Sequence, residues 1–438
     1  MTAAKFLPGA EAERAQLPVE AHRLTEALAS GRSGDTPASG RLASASAAEP
    51  LTAALTVPPA GTTVGAHGRA PAHPETCPSA GPDDRPPAVE VGSPAPRLAP
   101  AEPSRTRAVR PSATPEPITP QPLSGRAAYR AELTALAAAD ERILCLEADL
   151  GGKGHPFQLA HPERFFNLGI AEGAMVDMAA GLAAGGYKPF VSTFAPFAAL
   201  RAAESLKLTL GYLNAGVTVV APYAGVSGAW FGTTHHCLED LAVLRAVPGV
   251  RIAAPYGEAE MRAVIREAAR SGRPYYIRTG RDARYESLPG ADQLPLVNWE
   301  SADGDVCLVS VGEEGTRLAV EAREQVPGTA HAHLVHVDHE HLAQAAPELA
   351  RRHRTFVVVE EHRTQGGAAE ALALLLPHCQ VTSVAADRSW PSQGGDHAEV
   401  MAALGLELPA VTRALEHARS TRHHHSTHTP SRSLSCTS

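Results

Sequence analysis

Cysteine pairs at metal-binding or disulfide-framework spacing are missing from this sequence. Its six cysteines lie far apart, without a Cys-x-x-Cys pair, at Cys77, Cys145, Cys237, Cys307, Cys379 and Cys436. This spacing excludes a zinc ribbon and argues against a disulfide-stapled secreted fold. We therefore expect a reducing compartment, with the cytoplasm as the location.

Long apolar runs and an excess of basic residues are missing as well. No apolar run approaches the ~20 residues of a membrane helix, and the first residues lack the apolar core of a signal peptide. Lysine and arginine number 39 against 47 aspartates and glutamates, which gives a net charge of −8. Because nucleic acids and anionic membranes attract basic surfaces, we expect neither as a partner.

Aromatic residues are almost absent from residues 1–125, which contain one of the 20 in the chain, Phe6, but 21 of its 37 prolines. Such a segment cannot bury enough apolar surface to offset the entropy lost on ordering. We therefore predict that residues 1–125 are mostly disordered, and we predict the same for the polar tail at 420–438.

Between these ends, apolar strand-like segments alternate with amphipathic helical segments. Over residues 126–285 this pattern predicts an α/β domain with a doubly wound parallel sheet covered by helices on both faces. A polar stretch rich in Gly and Pro at 286–302 is typical of a linker. A second, smaller α/β domain is predicted at 303–419.

Residues with chemical potential follow several predicted strands, at the edge where doubly wound sheets bind their ligands. Glu172 begins an apolar helix, either as a favourable charge at the helix N-terminus or as a buried carboxyl group that handles a proton. Phe194 and Phe197 suit either a core or an aromatic site. His235 and His236 are adjacent and point in different directions, which argues against a shared metal ion, and we predict no metal site in this chain.

Several separated motifs resemble one family in their order and spacing. RFFNLGIAEGAMVDMAAGLAAGGYKPFVSTFAPF and GTTHHCLEDLAVLRAVPGVRIAAPY are similar to the pyrimidine-binding domain of transketolases. The second α/β unit, with VVVEEHRTQGG, resembles the C-terminal domain of the same family. Over residues 126–419 the chain looks most similar to the C-terminal subunit of split, two-subunit transketolases.

The resemblance implies a thiamine diphosphate enzyme that transfers a two-carbon ketol unit. By this likeness Glu172 is the acid beside the aminopyrimidine ring, Phe197 stacks on that ring, and Phe194 and Asp149 lie near the cofactor. His235 is implied to contact substrate oxygens and to help in proton transfer.

The resemblance also implies how substrates are held. Arg126 and Arg281 match arginines that hold the phosphate group of sugar phosphates, a role suited to their bidentate, permanently charged donors. Tyr223 stands where the family usually has a substrate histidine, and Trp230 and Phe231 replace an acidic pair that reads sugar hydroxyls. Gly173 and Lys153 also depart from the family pattern, so we expect a specialised substrate choice.

One family motif is missing altogether. The Gly-Asp-Gly sequence, which holds the diphosphate through Mg²⁺, occurs nowhere in the 438 residues. We therefore expect a separate diphosphate-binding subunit that carries the Mg²⁺ site, in a heterotetramer. The alternatives are a β subunit of a 2-oxo-acid dehydrogenase, a carboligase similar to deoxyxylulose-phosphate synthase, and a non-catalytic partner that binds or regulates.

Overall fold

The structure, a computed structural model, describes residues 121–150, 152, 154–391 and 394–426. The predicted disorder of residues 1–120 and of 427–438 lies outside the described residues, as does Lys153. Residues 121–125, which we expected to be disordered, are ordered. The Leu123 N–H donates to Glu258, and the Ser124 hydroxyl accepts from the Ala127 N–H at the start of the first helix.

Residues 121–285, which we call the first half, form a six-stranded parallel sheet. Its strands are β1 (Ile143–Glu147), β2 (Phe165–Asn167), β3 (Lys188–Ser192), β4 (Thr218–Ala221), β5 (Arg251–Ala253) and β6 (Tyr275–Arg278). Their order in the sheet is β2-β1-β3-β4-β6-β5. Strands β1, β4 and β6 are buried along their whole length. Continuous burial is what a parallel sheet with helices on both faces requires.

Six α-helices belong to the first half: α1 (Gly125–Ala137), α2 (Pro156–Ala160), α3 (Glu172–Ala184), α4 (Ala203–Leu206), α5 (Asp240–Arg245) and α6 (Gly257–Ser271). Helix α4 lies between two π-helical segments, Phe197–Arg201 and Lys207–Tyr212. The sequence pattern of residues 197–214 predicts one regular helix, and that of residues 235–247 predicts a helix beginning at His235. His235 instead ends a short 3₁₀ turn, and α5 begins at Asp240.

The second half forms a five-stranded mixed sheet with the order β11-β10-β8-β9-β7. Its strands are β7 (Asn298–Ser301), β8 (Val306–Val311), β9 (Thr329–His333), β10 (Thr355–Arg363) and β11 (Gln380–Ala386). Its helices are α7 (Gly312–Gln325), α8 (His339–Arg352), α9 (Ala368–Leu375), α10 (His397–Ala403) and α11 (Leu408–Ser426). The predicted fold class is thereby confirmed.

Two predicted boundaries need correction. The stretch 286–302, predicted as a linker, ends in β7, which pairs antiparallel with β9 and so belongs to the second sheet. Helix α11 continues to Ser426, past Arg419, where we expected the tail to begin.

The two halves are joined through the backbone and through a shared core. The Ala254 N–H donates to Val335 O at 2.8 Å, and the Val337 N–H donates to Ile252 O at 2.9 Å, so the segment after β9 lies along β5. One apolar cluster contains side chains from both sheets, among them Ile252 and Val309. Among the described residues, no helix combines the length and hydropathy that a membrane span needs.

Candidate active site

The loops after four strands of the first sheet bring the predicted site residues to one edge. Chain order reverses between the neighbouring strands β1 and β3, where doubly wound sheets bind their ligands. Glu172 follows β2, Phe194 follows β3, Tyr223 follows β4 and Arg281 follows β6. The topology thus gathers residues that lie more than 100 positions apart in the sequence.

Glu172 is the first residue of α3 and is 4% exposed. Its Oε1 accepts a hydrogen bond from Nη1 of Arg201 at 2.6 Å. The Arg201 guanidinium also lies 4.1 Å from the centre of the Phe197 ring. The carboxyl group is therefore buried and charge-paired, and its partner Arg201 lies on an aromatic ring, which is more than a surface charge at a helix terminus would show.

An aromatic cluster lies beside Arg201, the partner of this carboxyl group. We define it as Phe194, Phe197, Tyr223, Trp230, Phe231 and His235. Ring centres are 4.0 Å apart for Phe194 and Tyr223, and 5.8 Å apart for Phe194 and Phe197. The His235 ring lies 5.2 Å from Phe197 and stacks on Phe231 at 4.5 Å. One connected surface of rings therefore runs from the Glu172 side of the site to the Trp230 loop.

His235 carries the cluster's titratable ring. Burial lowers the pKa of His235 below its ordinary value, and the nearby Arg201 charge lowers it further. Its Nδ1 lies 2.9 Å from the Thr234 hydroxyl. The ring is accordingly neutral at neutral pH and able to accept a proton. His236 is also buried, but its Nε2 lies 3.3 Å from Ala229 O, and its ring is not part of the cluster.

Two arginines flank Tyr223. The guanidinium carbons of Arg126 and Arg281 lie 5.9 Å and 5.7 Å from the centre of its ring. Nε of Arg126 is buried without a hydrogen-bond partner. Arg281 lies 3.1 Å from Asp282 and 4.3 Å from the centre of the Trp230 ring. Both guanidinium groups thus lie within 6 Å of the Tyr223 ring centre, and an anionic group of a ligand there would give Nε of Arg126 its missing acceptor.

Asp149 is placed apart from the cluster. It is exposed just past β1, and its N–H donates to Oδ1 of Asn167 at 3.1 Å. Asp149 and Tyr223 both adopt the left-handed backbone conformation, with φ of 58° and 64°. Non-glycine residues in this conformation are strained, and such strain concentrates at functional sites.

Sequence reasoning missed Arg201, and it missed a buried polar group beside the first strand. Among the described residues, the possible ligand atoms of Cys145, Glu147 and His155 lie within 4.8 Å of one another, which is close enough to hold one metal ion. Arg130, however, donates to both oxygens of Glu147 at 3.1 and 3.2 Å, and His155 lies 2.9 Å from it. Burial also raises the pKa of Cys145, which keeps the thiol protonated. The arginine charge already balances Glu147, so this group reads as an ion-pair network.

The residues at this edge fit an aminopyrimidine ring. Glu172 offers a carboxyl group to a ring nitrogen, and Phe194 and Phe197 offer aromatic faces beside it. The hydroxyl of Thr193, between β3 and Phe194, is buried without a hydrogen-bond partner, so a polar ligand atom at this strand end would satisfy it.

Similarity to known proteins indicates the family of this chain. The family profile described as the pyrimidine-binding domain of transketolase matches residues 121–285. A deoxyxylulose-5-phosphate synthase 2 of Kitasatospora griseola is 34% identical over 61% of this chain and 44% of its own length. The chain thus spans less than half of that relative.

Shorter relatives match along most of their length. A putative transketolase C-terminal section of Methanocaldococcus jannaschii is 32% identical over 57% of this chain and 80% of its own. A solved split-gene transketolase, described as an inactive beta4 tetramer, is 30% identical with a TM-score of 0.58, over 68% of this chain and 99% of its own. The resemblance seen in the motifs is confirmed: the chain belongs to the transketolase family and corresponds to its C-terminal section.

Proposed function

We propose that this chain is the C-terminal subunit of a thiamine diphosphate-dependent, transketolase-like enzyme that transfers a two-carbon ketol unit. The observation that carries the proposal is the burial of Glu172, which is 4% exposed at the start of α3 and is linked through Arg201 to the aromatic cluster. A buried acid next to aromatic rings at the ligand-binding edge of a parallel sheet suits a nitrogen heterocycle that exchanges a proton.

In this proposal Glu172 places its carboxyl group against the aminopyrimidine ring, and Phe194 and Phe197 pack on the ring. Asp149 follows the neighbouring strand β1 and would lie near the cofactor. When bound, thiamine diphosphate supplies the electron sink for breaking the carbon–carbon bond beside the donor carbonyl. The chain's own part is to bind, to orient and to exchange a proton at the Glu172 carboxyl group.

His235 and the two arginines act on the substrate. The neutral imidazole of His235 accepts a proton from a substrate hydroxyl and returns it to a carbonyl oxygen. Arg126 and Arg281 bind the anionic end, and the buried, unpartnered Nε of Arg126 gains its missing acceptor. The Tyr223 ring lies 4.0 Å from that of Phe194 and 5.9 Å from the Arg126 guanidinium, so it connects the arginines to the aromatic side chains.

A separate subunit completes the site. The sequence has no Gly-Asp-Gly motif to hold Mg²⁺ and the diphosphate, so we assign both to a partner, in a heterotetramer. An exposed apolar surface near α4 supports such a partner, since monomers rarely expose large apolar patches. Its side chains are Leu200, Leu208, Tyr212 and Leu213, of which Tyr212 is 84% exposed.

A carboligase similar to deoxyxylulose-phosphate synthase is the second candidate. The 34% identity to the Kitasatospora griseola enzyme favours it. The two functions differ in the donor, since a carboligase of this kind joins pyruvate to an aldehyde phosphate with loss of carbon dioxide. A ketol transferase instead takes two carbons from a ketose.

The test compares the full chain alone with the chain co-purified with a diphosphate-binding subunit. Each sample receives thiamine diphosphate, Mg²⁺, an aldose phosphate acceptor and, in parallel reactions, either a ketose phosphate or pyruvate as the donor, and product is measured by mass spectrometry. We expect weak cofactor binding and no transfer by the chain alone, and transfer by the pair. Transfer by the chain alone contradicts the two-subunit proposal, and product from pyruvate but not from the ketose selects the carboligase.

A matched pair of variants tests the partner surface. Leu208→Asp places a charge in the exposed apolar surface near α4, whereas Leu374→Asp places one on an exposed position of α9. We expect the first variant to lose the partner and the second to keep it. Equal co-purification of both variants shows that the partner binds elsewhere.

A further inference from the structure

The geometry points to the substrate class: we propose that Tyr223, Trp230 and Phe231 bind a flat apolar part of the substrate, so that the preferred acceptor is an aromatic aldehyde with a negatively charged end. This inference rests on the proposed function, because it names what that same site accepts. We refer to these three residues as the aromatic wall.

The three rings of the wall lie next to one another. The Trp230 and Phe231 ring centres are 5.0 Å apart, and those rings lie 6.2 and 6.3 Å from Tyr223. Tyr223 is 4% exposed, while Trp230 and Phe231 are 47% and 45% exposed. Two large aromatic side chains thus stay half open to solvent beside a buried third, and a flat ligand resting on them would bury that area.

The chemistry of the rings selects against sugars. A phenyl ring accepts no hydrogen bond from a hydroxyl, and an indole only donates one. A polyhydroxylated chain laid across Trp230 and Phe231 would leave hydroxyls without partners, which is costly in a desolvated site. An aromatic ring in the same place loses no such bonds and gains stacking contacts.

Two arginine side chains lie beside the aromatic wall and could bind an anionic group of the substrate. Arg281 lies 4.3 Å from the centre of the Trp230 ring, and Arg126 lies 5.9 Å from that of Tyr223. A carboxylate or phosphate on the substrate would meet these guanidinium groups while its flat part rests on the rings. The wall and the arginines together therefore describe a flat molecule with one anionic end.

The wall is held in place before a ligand binds. A side chain at Gly228 would come within 2.8 Å of the Tyr223 ring, so Gly228 permits this close approach. Ala229 O accepts from the N–H groups of Gly232 and Gly395 at 3.1 and 3.3 Å, which ties the loop to the second half. A pre-positioned surface saves the entropy of ordering side chains on binding.

The proposed reaction balances with hydroxypyruvate as donor. The bond between its carboxylate and carbonyl carbons breaks, and carbon dioxide leaves. A new bond joins the carbonyl carbon of the remaining two-carbon unit to the aldehyde carbon of the acceptor. The aldehyde oxygen takes up one proton and becomes the hydroxyl of the product.

The test uses two aldehydes that each carry an anion: 4-formylbenzoate, which is flat, and erythrose 4-phosphate, which is polyhydroxylated. The binding measurement is saturation-transfer NMR with the full chain, for the wild type, the double variant Trp230→Ala/Phe231→Ala, and Leu374→Ala as an exposed apolar control outside the site. We expect the double variant to bind 4-formylbenzoate at least about tenfold more weakly, and the control to match the wild type.

The turnover measurement uses the assembled enzyme with hydroxypyruvate. We expect a higher kcat/KM for 4-formylbenzoate than for erythrose 4-phosphate, and we expect the double variant to lose this preference through a higher KM. Equal binding by wild type and double variant, or a preference for erythrose 4-phosphate, overturns the inference. Ketol products from neither aldehyde, with binding intact, contradict the proposed function instead of the assignment of the wall.

Discussion

Arg201 joins the acid of the site to its aromatic cluster: Nη1 donates to Oε1 of Glu172 at 2.6 Å, and the same guanidinium lies 4.1 Å from the centre of the Phe197 ring. Phe197 and Arg201 are the first and last residues of one π-helical segment, which brings them to the same face. Such segments are frequent at functional sites. The local widening of this helix therefore orients both groups that would face a bound heterocycle.

Replacing Glu172 by glutamine should strongly reduce turnover and leave the fold intact. The amide still accepts a hydrogen bond from Arg201, but it cannot exchange a proton with a ring nitrogen. A loss of about 3–4 kcal/mol of transition-state stabilisation corresponds to a fall in kcat of roughly a hundred- to a thousandfold. Steady-state kinetics of the assembled enzyme and the melting temperature measure the two effects. Glu163→Gln, on an exposed side chain, serves as the control, and near-normal turnover of Glu172→Gln would reduce Glu172 to a helix-terminal charge.

Removing the charge of Arg201 should raise the pKa of His235. Burial lowers that pKa first and Arg201 lowers it further, so Arg201→Met, which keeps an apolar side chain against Phe197, removes the second contribution. We expect the imidazole to become protonated at a higher pH than in the wild type. An NMR titration of the full chain, with the His235 signal assigned from a His235→Gln variant, measures this. Arg142→Met, at an exposed position, should leave the His235 signal unchanged, and an unmoved pKa in Arg201→Met would refute the coupling.

Stability should fall between about pH 4.5 and pH 7 because of Glu313. Burial raises the pKa of this carboxyl group from 4.5 to about 7, while its hydrogen bond from the Thr279 hydroxyl opposes the rise. The folded state therefore keeps a proton that the unfolded chain releases, and the free energy of unfolding decreases as pH rises through this window. Each pKa unit of difference corresponds to about 1.4 kcal/mol.

The variant Glu313→Gln has no such proton to lose, so its stability should decline less than that of the wild type over the same window. Denaturant unfolding at several pH values measures the difference. The exposed Glu399→Gln should follow the wild type. Parallel curves for wild type and Glu313→Gln would show that Glu313 does not titrate in this range.

Removing residues 1–120, so that the chain begins at Gln121, should leave the melting temperature unchanged. The shortened chain keeps Ser124, the N-cap of α1. Leu123 and Ser124 make the contacts that begin α1, with Glu258 and with the Ala127 N–H. A chain that begins at Arg126 lacks both, and losing the cap alone costs about 1 kcal/mol. We therefore expect a lower melting temperature only for the shorter chain, by scanning calorimetry. A large drop for the longer one would mean that residues 1–120 contribute to stability.

The alternation of apolar strands and amphipathic helices was enough to predict both α/β units. Strands such as β4 and β8 consist mainly of apolar residues, so their sequences alone predict that they are buried. β7 was not predictable in this way. Its four residues become a strand through antiparallel pairing with β9, which is a long-range contact. The π-helical segments around α4 were missed for a similar reason, since local propensity favours an ordinary helix there.

The site was less predictable than the fold. Spacing alone is compatible with Glu172 as a helix-terminal charge or as a buried acid, and the family resemblance favours the buried acid. The structure then brought Phe194, Phe197, Tyr223 and His235 into one cluster but left Asp149 exposed beside Asn167. Arg201 carries no motif of its own, and its role depends on where a π-helical segment places it.

The backbone hydrogen bonds between β5 and the segment around His336 have a consequence for how the chain unfolds. An edge strand normally presents unpaired N–H and C=O groups to which another chain can add. Here Val335 and Val337 take up that edge, and the same contacts anchor the second half to the first. The two sheets should therefore unfold in a single cooperative transition. The β5 edge has few unpaired backbone groups to which another chain could add during aggregation.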